Sequence, residues 1–181
     1  MTQPLQGRHA LVTGAARGIG AAIARALAAE GATLTLLGRS VASLQTLADE
    51  LNASKAAPGQ AHGIALADVA DAEQVADAFA QARTQRGPIT ILVNNAGQAE
   101  SAPFAKTSLD LWQRMLAVNL TGTFVCAQAA LPDMLAARQG RIVNIASTAA
   151  QRGYAYVCAY VAAKHGVLGL TRSLALELAT K

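Results

Sequence analysis

Charge, sulfur and aromatic side chains are all scarce in this sequence. Charged residues fill 14% of its 181 positions, where a globular domain ordinarily carries about a quarter. So little charge, beside 52% hydrophobic residues, excludes a disordered chain. It suits a parallel sheet covered by helices on both faces, with further surface buried between subunits. The two cysteines, Cys126 and Cys158, lie far apart in apolar segments. They rule out a disulfide scaffold and a C-x-x-C motif, and are expected as reduced core thiols. His9, His62 and His165 lack metal-ligand spacing, so no metal site is expected. No apolar run approaches the ~20 residues of a membrane span, and the opening Met1-Thr2-Gln3-Pro4 is no secretory signal. A cytoplasmic protein with no membrane partner is the expectation. The net charge is +4, yet Lys and Arg are scattered and form no basic stripe, so a nucleic-acid partner is not expected.

What the sequence does contain is an alternation of short β-rich apolar runs with longer Ala/Leu-rich stretches of helical period. His9 to Val12 reads as a first strand, followed by a helix with Ile19, Ile23, Ala26 and Leu27 on one face. Gly31 stops that helix, and Thr33 to Leu37 reads as the second strand. A helix from about Val41 to Leu51, a third strand around Gly63 to Leu66, and a helix from an Asp71 cap to Arg86 come next. Ile89 to Val93 reads as the fourth strand. A helical region capped by Ser108 is followed by a second helical stretch, Phe124 to Ala137. Arg141 to Ala146 is the fifth strand, and a last helix spans about Tyr154 to Ala179, with Val167, Leu170, Leu174 and Leu178 on one face. This predicts one domain over 1–181, an α/β fold with a doubly wound parallel sheet. The pattern stops after a helix, so one edge of the sheet is expected to be left short.

Two signatures carry the chemistry. The first is Thr13-Gly14-Ala15-Ala16-Arg17-Gly18-Ile19-Gly20, between the first strand and its helix. Glycines there allow positive φ and close approach of backbone to a phosphate, and the helix N-terminus offers free N–H groups to a pyrophosphate. At the end of the second strand an acidic residue would select an unphosphorylated ribose, whereas arginine accepts a 2′-phosphate. The chain has Gly38-Arg39-Ser40, and Arg17 is a second candidate partner for that phosphate. NADP(H) is therefore the favoured cofactor, with NAD(H) the alternative.

The second signature is Tyr160-Val161-Ala162-Ala163-Lys164, which sets a phenol and an ammonium one helical turn apart. A phenol has an ordinary pKa near ~10. An ammonium at ~4 Å, with an effective dielectric of ~20, favours the phenolate by about 4 kcal/mol, and desolvation opposes part of that. Tyr160 is then a candidate general acid or base. Ser147 ends the fifth strand, on the side of an open sheet where ligands bind.

On these residues the chain resembles the short-chain dehydrogenase/reductase family. It matches T-G-x-x-x-G-x-G at Thr13 to Gly20, N-N-A-G at Asn94-Asn95-Ala96-Gly97, Asp68-Val69, and the tetrad Asn119, Ser147, Tyr160 and Lys164. The resemblance implies a Rossmann-type fold with its last strands missing from this chain, since family members continue with two further strands and a segment covering the substrate. It implies that Tyr160 donates the proton, Ser147 binds the carbonyl oxygen, Lys164 holds the nicotinamide ribose and Asn119 a relay water. Gly14, Arg17, Gly18, Ile19, Gly20, Arg39, Asp68, Val69, Asn94, Ala96 and Gly97 would bind or support the cofactor, with Asp68 at the adenine. Family tetramers further imply a homo-oligomer, tetramer or dimer, through the helices after Ser108 and from Tyr154.

Substrate-facing candidates are Gln98, Glu100, Thr148, Gln151, Arg152 and Tyr154. The stretch Ala159 to Gly166 is similar to 3-hydroxybutyrate dehydrogenases, but Ala149 and Val157 stand where those enzymes hold their substrate His and Lys. The expected substrate is a small-molecule carbonyl or alcohol, with a 3-oxoacyl thioester or ketone preferred. The alternatives are an NAD-dependent hydroxyacid or alcohol dehydrogenase, and a non-catalytic nucleotide-binding regulator on the same fold.

Overall fold

The computed structural model describes residues 3–181. Five parallel strands form one sheet: β1 (His9–Thr13), β2 (Thr33–Gly38), β3 (Gly63–Leu66), β4 (Ile91–Asn94) and β5 (Arg141–Asn144), in the order β3-β2-β1-β4-β5. Six α-helices connect or follow them: α1 (Gly18–Ala29), α2 (Val41–Ala53), α3 (Ala72–Arg86), α4 (Leu109–Leu116), α5 (Gly122–Ala136) and α6 (Cys158–Leu178). The doubly wound parallel sheet read from the alternation is what forms.

The strands sort their side chains with a period of two. Ala10, Val12, Leu34, Leu36, Ile91 and Val93 pack with residues of α1 and α2 on one face. Leu11, Leu37 and Leu92 pack with residues of α3 and α5 on the other. β1 is buried along its whole length, as a central parallel strand must be. Cys126, at 0% exposure, sits in the second of these cores, and burial pushes its thiol up to about 12. Both cysteines are free thiols.

Several boundaries differ from the sequence reading, each for a local reason. Pro88 has no N–H to give a ladder, and the N–H of Ile89 donates to Asp133 Oδ2 at 2.9 Å, so β4 begins at Ile91. The two helical stretches after Ser108 form one continuous run through a π turn, Ala117–Thr121. There the Asn119 side-chain amide donates to the Met115 carbonyl at 2.9 Å, taking an acceptor of the ordinary ladder, as at a π-bulge. α6 begins at Cys158 because Tyr156 has φ 68 and its carbonyl accepts from Ala102 N–H at 2.7 Å. Along α6 only Val167 of the expected apolar face is buried; Leu170, Leu174 and Leu178 are half-covered.

Asp71 and Ser108 do cap their helices. Asp71 accepts from the N–H groups of Glu73 and Gln74, and Ser108 accepts from that of Leu111. Among the described residues, Leu109–Ala136 is the one helical run long and apolar enough to cross a membrane by length and composition. It carries Asp110, Arg114 and Asp133, and Asp133 pairs with Arg83 of α3 at 2.7 Å; its α5 part packs into the second core through Cys126, Ala127, Ala130 and Met134.

Candidate active site

At the carboxyl ends of the strands, where the chain crosses from one side of β1 to the other, a cleft of about 730 Å³ opens. Such a switch point is where open α/β sheets bind ligands. Its walls bring together Gly14, Arg17, Gly18 and Ile19 from the first turn. Arg39 follows β2, Asp68 and Val69 follow β3, and Ala96 and Gly97 follow β4. Of the residues expected around a nucleotide, Gly20 and Asn94 lie behind this wall. A Cβ on Gly20 would collide with the Gly14 carbonyl and Asn95 Nδ2. Asn94 is buried and donates to Asn144 Oδ1 at 2.9 Å and to the Thr123 carbonyl at 3.3 Å. Both residues act by packing the turn and the strand ends.

The turn is built for close approach. Gly14 has φ 63, and a Cβ there would fall 2.9 Å from Ala96 Cα. α1 starts with no side-chain cap and no acidic residue in its first turn, so its N–H groups and positive end face the cleft uncompensated. Asn95, which the sequence reading passed over, ties the two crossing loops together. Its side-chain N–H groups donate to the carbonyls of Thr13 at 3.0 Å and Gly14 at 3.2 Å. Thr13 Oγ1 accepts in return from the N–H groups of Asn95 and Ala96. The signal was present in the repeated Asn of the N-N-A-G motif.

Arg39 and Asp68 meet at the end of the cleft next to β2 and β3, with Nη1 3.3 Å from Oδ2 and 72% and 34% of their side chains exposed. A pair that open contributes little to stability. Its consequence is that Arg39 already has an anionic neighbour.

The residues expected to be reactive come from the π turn, the loop after β5, and α6. Asn119 is fully buried. Its Oδ1 accepts from Gln98 N–H at 3.2 Å, and its Nδ2 donates to the carbonyls of Gln98 and Met115, each at 2.9 Å. The amide thus has both hydrogens engaged and fixes the loop after β4. Lys164 is 5% exposed and donates to the Ile145 carbonyl at 2.8 Å. Its Nζ stands 5.8 Å from the centre of the Tyr160 ring. Burial lowers its basicity. A Cβ on Gly97 would lie 2.8 Å from Asn119 Oδ1 and 3.7 Å from Lys164 Nζ, so these two groups converge on the end of the cleft that Gly97 lines. Ser147 Oγ accepts from Ala149 N–H at 3.1 Å, which leaves its own proton free to be donated.

The substrate-facing candidates divide. Thr148, Arg152 and Tyr154 form one cluster: the Tyr154 hydroxyl lies 2.9 Å from Thr148 Oγ1 and accepts from Arg152 Nε at 2.8 Å. Those two bonds hold Tyr154 below the usual phenol range. Glu100 pairs instead with Arg114 at 3.2 Å, Gln98 is held by Asn119 through its backbone, and Gln151 is exposed. No group of three or more His, Cys, Asp or Glu able to hold a metal occurs among the described residues.

The chain is similar to known proteins over almost its whole length. It is 44% identical to a D-threitol dehydrogenase of Mycolicibacterium smegmatis over 96% of this chain and 65% of the relative. It is 41% identical to a 3-oxoacyl-(acyl-carrier-protein) reductase of Aquifex aeolicus over 98% of this chain and 70% of the relative. The crystal structure of a variant actinorhodin polyketide ketoreductase with NADPH superposes with a TM-score of 0.89 at 38% identity, over 99% of this chain and 67% of that one. The chain therefore spans about two thirds of the length of these relatives. The profile of the short chain dehydrogenase family matches residues 8–181. With the phosphate turn, the N-N-A-G clamp and the Ser-Tyr-Lys set in one Rossmann-type sheet, this chain belongs to the short-chain dehydrogenase/reductase family.

Proposed function

We propose that this chain carries the cofactor-binding and proton-transfer machinery of an NADP(H)-dependent oxidoreductase that interconverts a carbonyl and a secondary alcohol. A ketone or 3-oxoacyl thioester is the substrate class. The observation that carries this reading is the single cleft: the glycine turn and Arg39 line it, and Asn119 and Lys164 converge on Gly97 at its wall. Its donor set fits a dinucleotide. The uncapped α1 N-terminus suits a pyrophosphate, and Arg39 beside the Ser40 and Ser43 hydroxyls suits a 2′-phosphate. Lys164 suits ribose hydroxyls. When bound, the nicotinamide supplies or accepts hydride.

The chain's own residues handle the proton. Tyr160 gives its phenolic proton to the carbonyl oxygen in reduction and takes it back in oxidation. Ser147, whose hydroxyl proton is free, donates a hydrogen bond to that oxygen and stabilises the charge that develops there. Lys164 presents its ammonium to the Tyr160 ring, 5.8 Å from the ring centre. Asn119 is a positioning residue, because its amide is committed to Gln98 and Met115. The exposed apolar side chains Leu109 on α4, Phe124 on α5 and Leu176 on α6 support assembly into a dimer or tetramer through these helices. A monomeric mass in light scattering would count against that assembly.

The Arg39–Asp68 ion pair favours a second reading, in which Arg39 is kept from the phosphate and NAD(H) is used for alcohol oxidation. Parallel fluorescence titrations with NADPH and NADH decide between them. The expected outcome is a preference for NADPH of about tenfold, worth about 1.4 kcal/mol, that is lost in Arg39→Asp. A preference for NADH selects the second reading. A ketone reductase activity abolished by Tyr160→Phe, with cofactor binding intact, separates either enzyme from a non-catalytic regulator.

A further inference from the structure

Asn94 and Asn144 are register partners at the ends of β4 and β5, and the proposed reaction gives Asn144 no part. They stand in the middle of a hydrogen-bonded chain that runs from the π turn to α6. Thr123 Oγ1 donates to the Asn119 carbonyl at 2.9 Å, and the Thr123 carbonyl accepts from Asn94 Nδ2 at 3.3 Å. Asn94 Nδ2 also donates to Asn144 Oδ1 at 2.9 Å. Asn144 Nδ2 donates to Thr171 Oγ1 at 2.8 Å, and Thr171 Oγ1 donates to the Val167 carbonyl at 2.7 Å. Asn94 Oδ1 is buried without a hydrogen-bond partner, although most buried polar atoms have one. The Asn94 amide is thus oriented by its nitrogen, toward Thr123 and Asn144.

This chain ends on the helix that carries Tyr160 and Lys164. Thr171 lies seven residues beyond Lys164, two turns along the same face of α6. The two side chains meet neighbouring residues of one strand end: Lys164 donates to the Ile145 carbonyl at 2.8 Å, and Thr171 accepts from Asn144. These contacts differ in stiffness. Lys164 reaches its acceptor through a flexible four-carbon stem, so its bond tolerates a small slide or roll of the helix. Thr171 Oγ1 sits on a β-branched carbon with few rotamers, is bonded back to its own helix, and meets an amide that Asn94 holds in turn. Between them, Gly166 brings α6 onto the π turn, where a Cβ would fall 2.7 Å from Leu120 Cδ2. Gly166 therefore sets the distance of α6 from the π turn, and the Asn144–Thr171 bond sets its rotation against the sheet.

We propose that Asn144 and Thr171 are positioning residues, which hold α6 in the rotation at which Lys164 reaches the Ile145 carbonyl and faces Tyr160. The inference rests on the reading of Tyr160 and Lys164 as the reactive pair. Because the same chain of bonds begins at the Asn119 carbonyl, it ties Asn119 and Lys164, which converge on Gly97, into one unit from behind the cleft.

The test follows the Lys164 ammonium by NMR of isotope-labelled lysine in the whole chain, its signal assigned by its loss in Lys164→Met. The groups set beside this ammonium are the Tyr160 ring on its own helix, the uncharged Asn119 side chain of the π turn and the Ile145 carbonyl after β5. Burial is what lowers its basicity, so an ammonium released from this setting titrates closer to its ordinary 10.5. Thr171→Val keeps the shape but offers Asn144 no acceptor, and is expected to raise the midpoint toward that value. Thr171→Ser restores the hydroxyl and should return the midpoint to that of the parent. Asn144→Leu removes the link from the strand side and should give the same rise as Thr171→Val. Leu174→Ala loosens the same half of α6 through an apolar contact alone and should leave the midpoint unchanged. An unchanged midpoint in folded Thr171→Val or Asn144→Leu overturns the proposal, and so does an equal rise in folded Leu174→Ala. The titration uses neither cofactor nor substrate, so its failure is distinct from a failure of the proposed reaction, which the Tyr160→Phe assay decides.

Discussion

Two buried basic residues are held here without their charge being welcome. His9 donates from Nδ1 to the Gly87 carbonyl at 2.8 Å, which fixes Nε2 as the acceptor for the Thr35 hydroxyl. That hydroxyl in turn accepts from Arg86. The neutral ring completes this chain of bonds, and a second proton would break it. Burial accordingly lowers the basicity of His9 from its ordinary 6.5. Because the unfolded chain takes up this proton first, the contribution of His9 is complete above about pH 6.5 and is lost as pH falls below it. Urea midpoints taken between about pH 7.5 and 5.5 should therefore fall, and His9→Asn should flatten the slope; an equal slope in the variant would dismiss this account. Lys164 follows the same sign, since its basicity is lowered by burial with no carboxylate beside it. Its charged form is disfavoured by folding throughout the range below its ordinary 10.5. Lys164→Met should gain about 1 kcal/mol of stability while losing turnover. A variant less stable than the parent would show that the bond to the Ile145 carbonyl outweighs desolvation.

Among the elements, the segment between α2 and β3 is ordered by one amide that no periodicity reveals. Gln60, 3% exposed, donates to the carbonyls of Ala28 and Ala32 and accepts from the N–H groups of Ala56 and Ala57. It joins the end of α1 to a segment that reads from sequence as an Ala-Pro-Gly break. Gln60→Ala should cost about 3 kcal/mol and expose the Ala56 and Ala57 amides to rapid hydrogen exchange; continued protection would mean that other contacts order the segment. The regular elements themselves were legible. Short continuous apolar runs placed β1 and β2, and the capping residues Asp71 and Ser108 do what their position suggested. The cleft was legible too, because glycine turns and strand ends are local features that the βαβ topology brings together. The π turn, the Arg39–Asp68 pair and the His9–Thr35–Arg86 network were not. Each depends on residues far apart in sequence or on a side chain competing for a backbone acceptor, and neither leaves a periodic trace.

For the whole molecule, both outer strands of the sheet, β3 and β5, pair on one side only among the described residues. The expectation of a short edge is met at β5, which among the described residues pairs only with β4. Val143, at its centre, is 47% exposed. Beside it a groove of about 500 Å³ runs between the ends of α5 and α6, lined by Met134, Ile142, Leu174 and Leu178. An open strand edge presents unpaired N–H and C=O groups that a second strand can match, and an apolar groove next to it adds buried area to any such pairing. The exposed Arg141 is the charge on this strand that opposes it. The chain is therefore expected to self-associate through β5 in a concentration-dependent way, apart from any assembly through α4 and α6. Val143→Lys places a second cation at the centre of the strand and should lower the weight-average mass measured by light scattering at high concentration, leaving the cooperative unfolding transition in place. A mass that is independent of concentration in the parent, or equal in parent and variant, would show that this edge is already guarded by its own charge and twist.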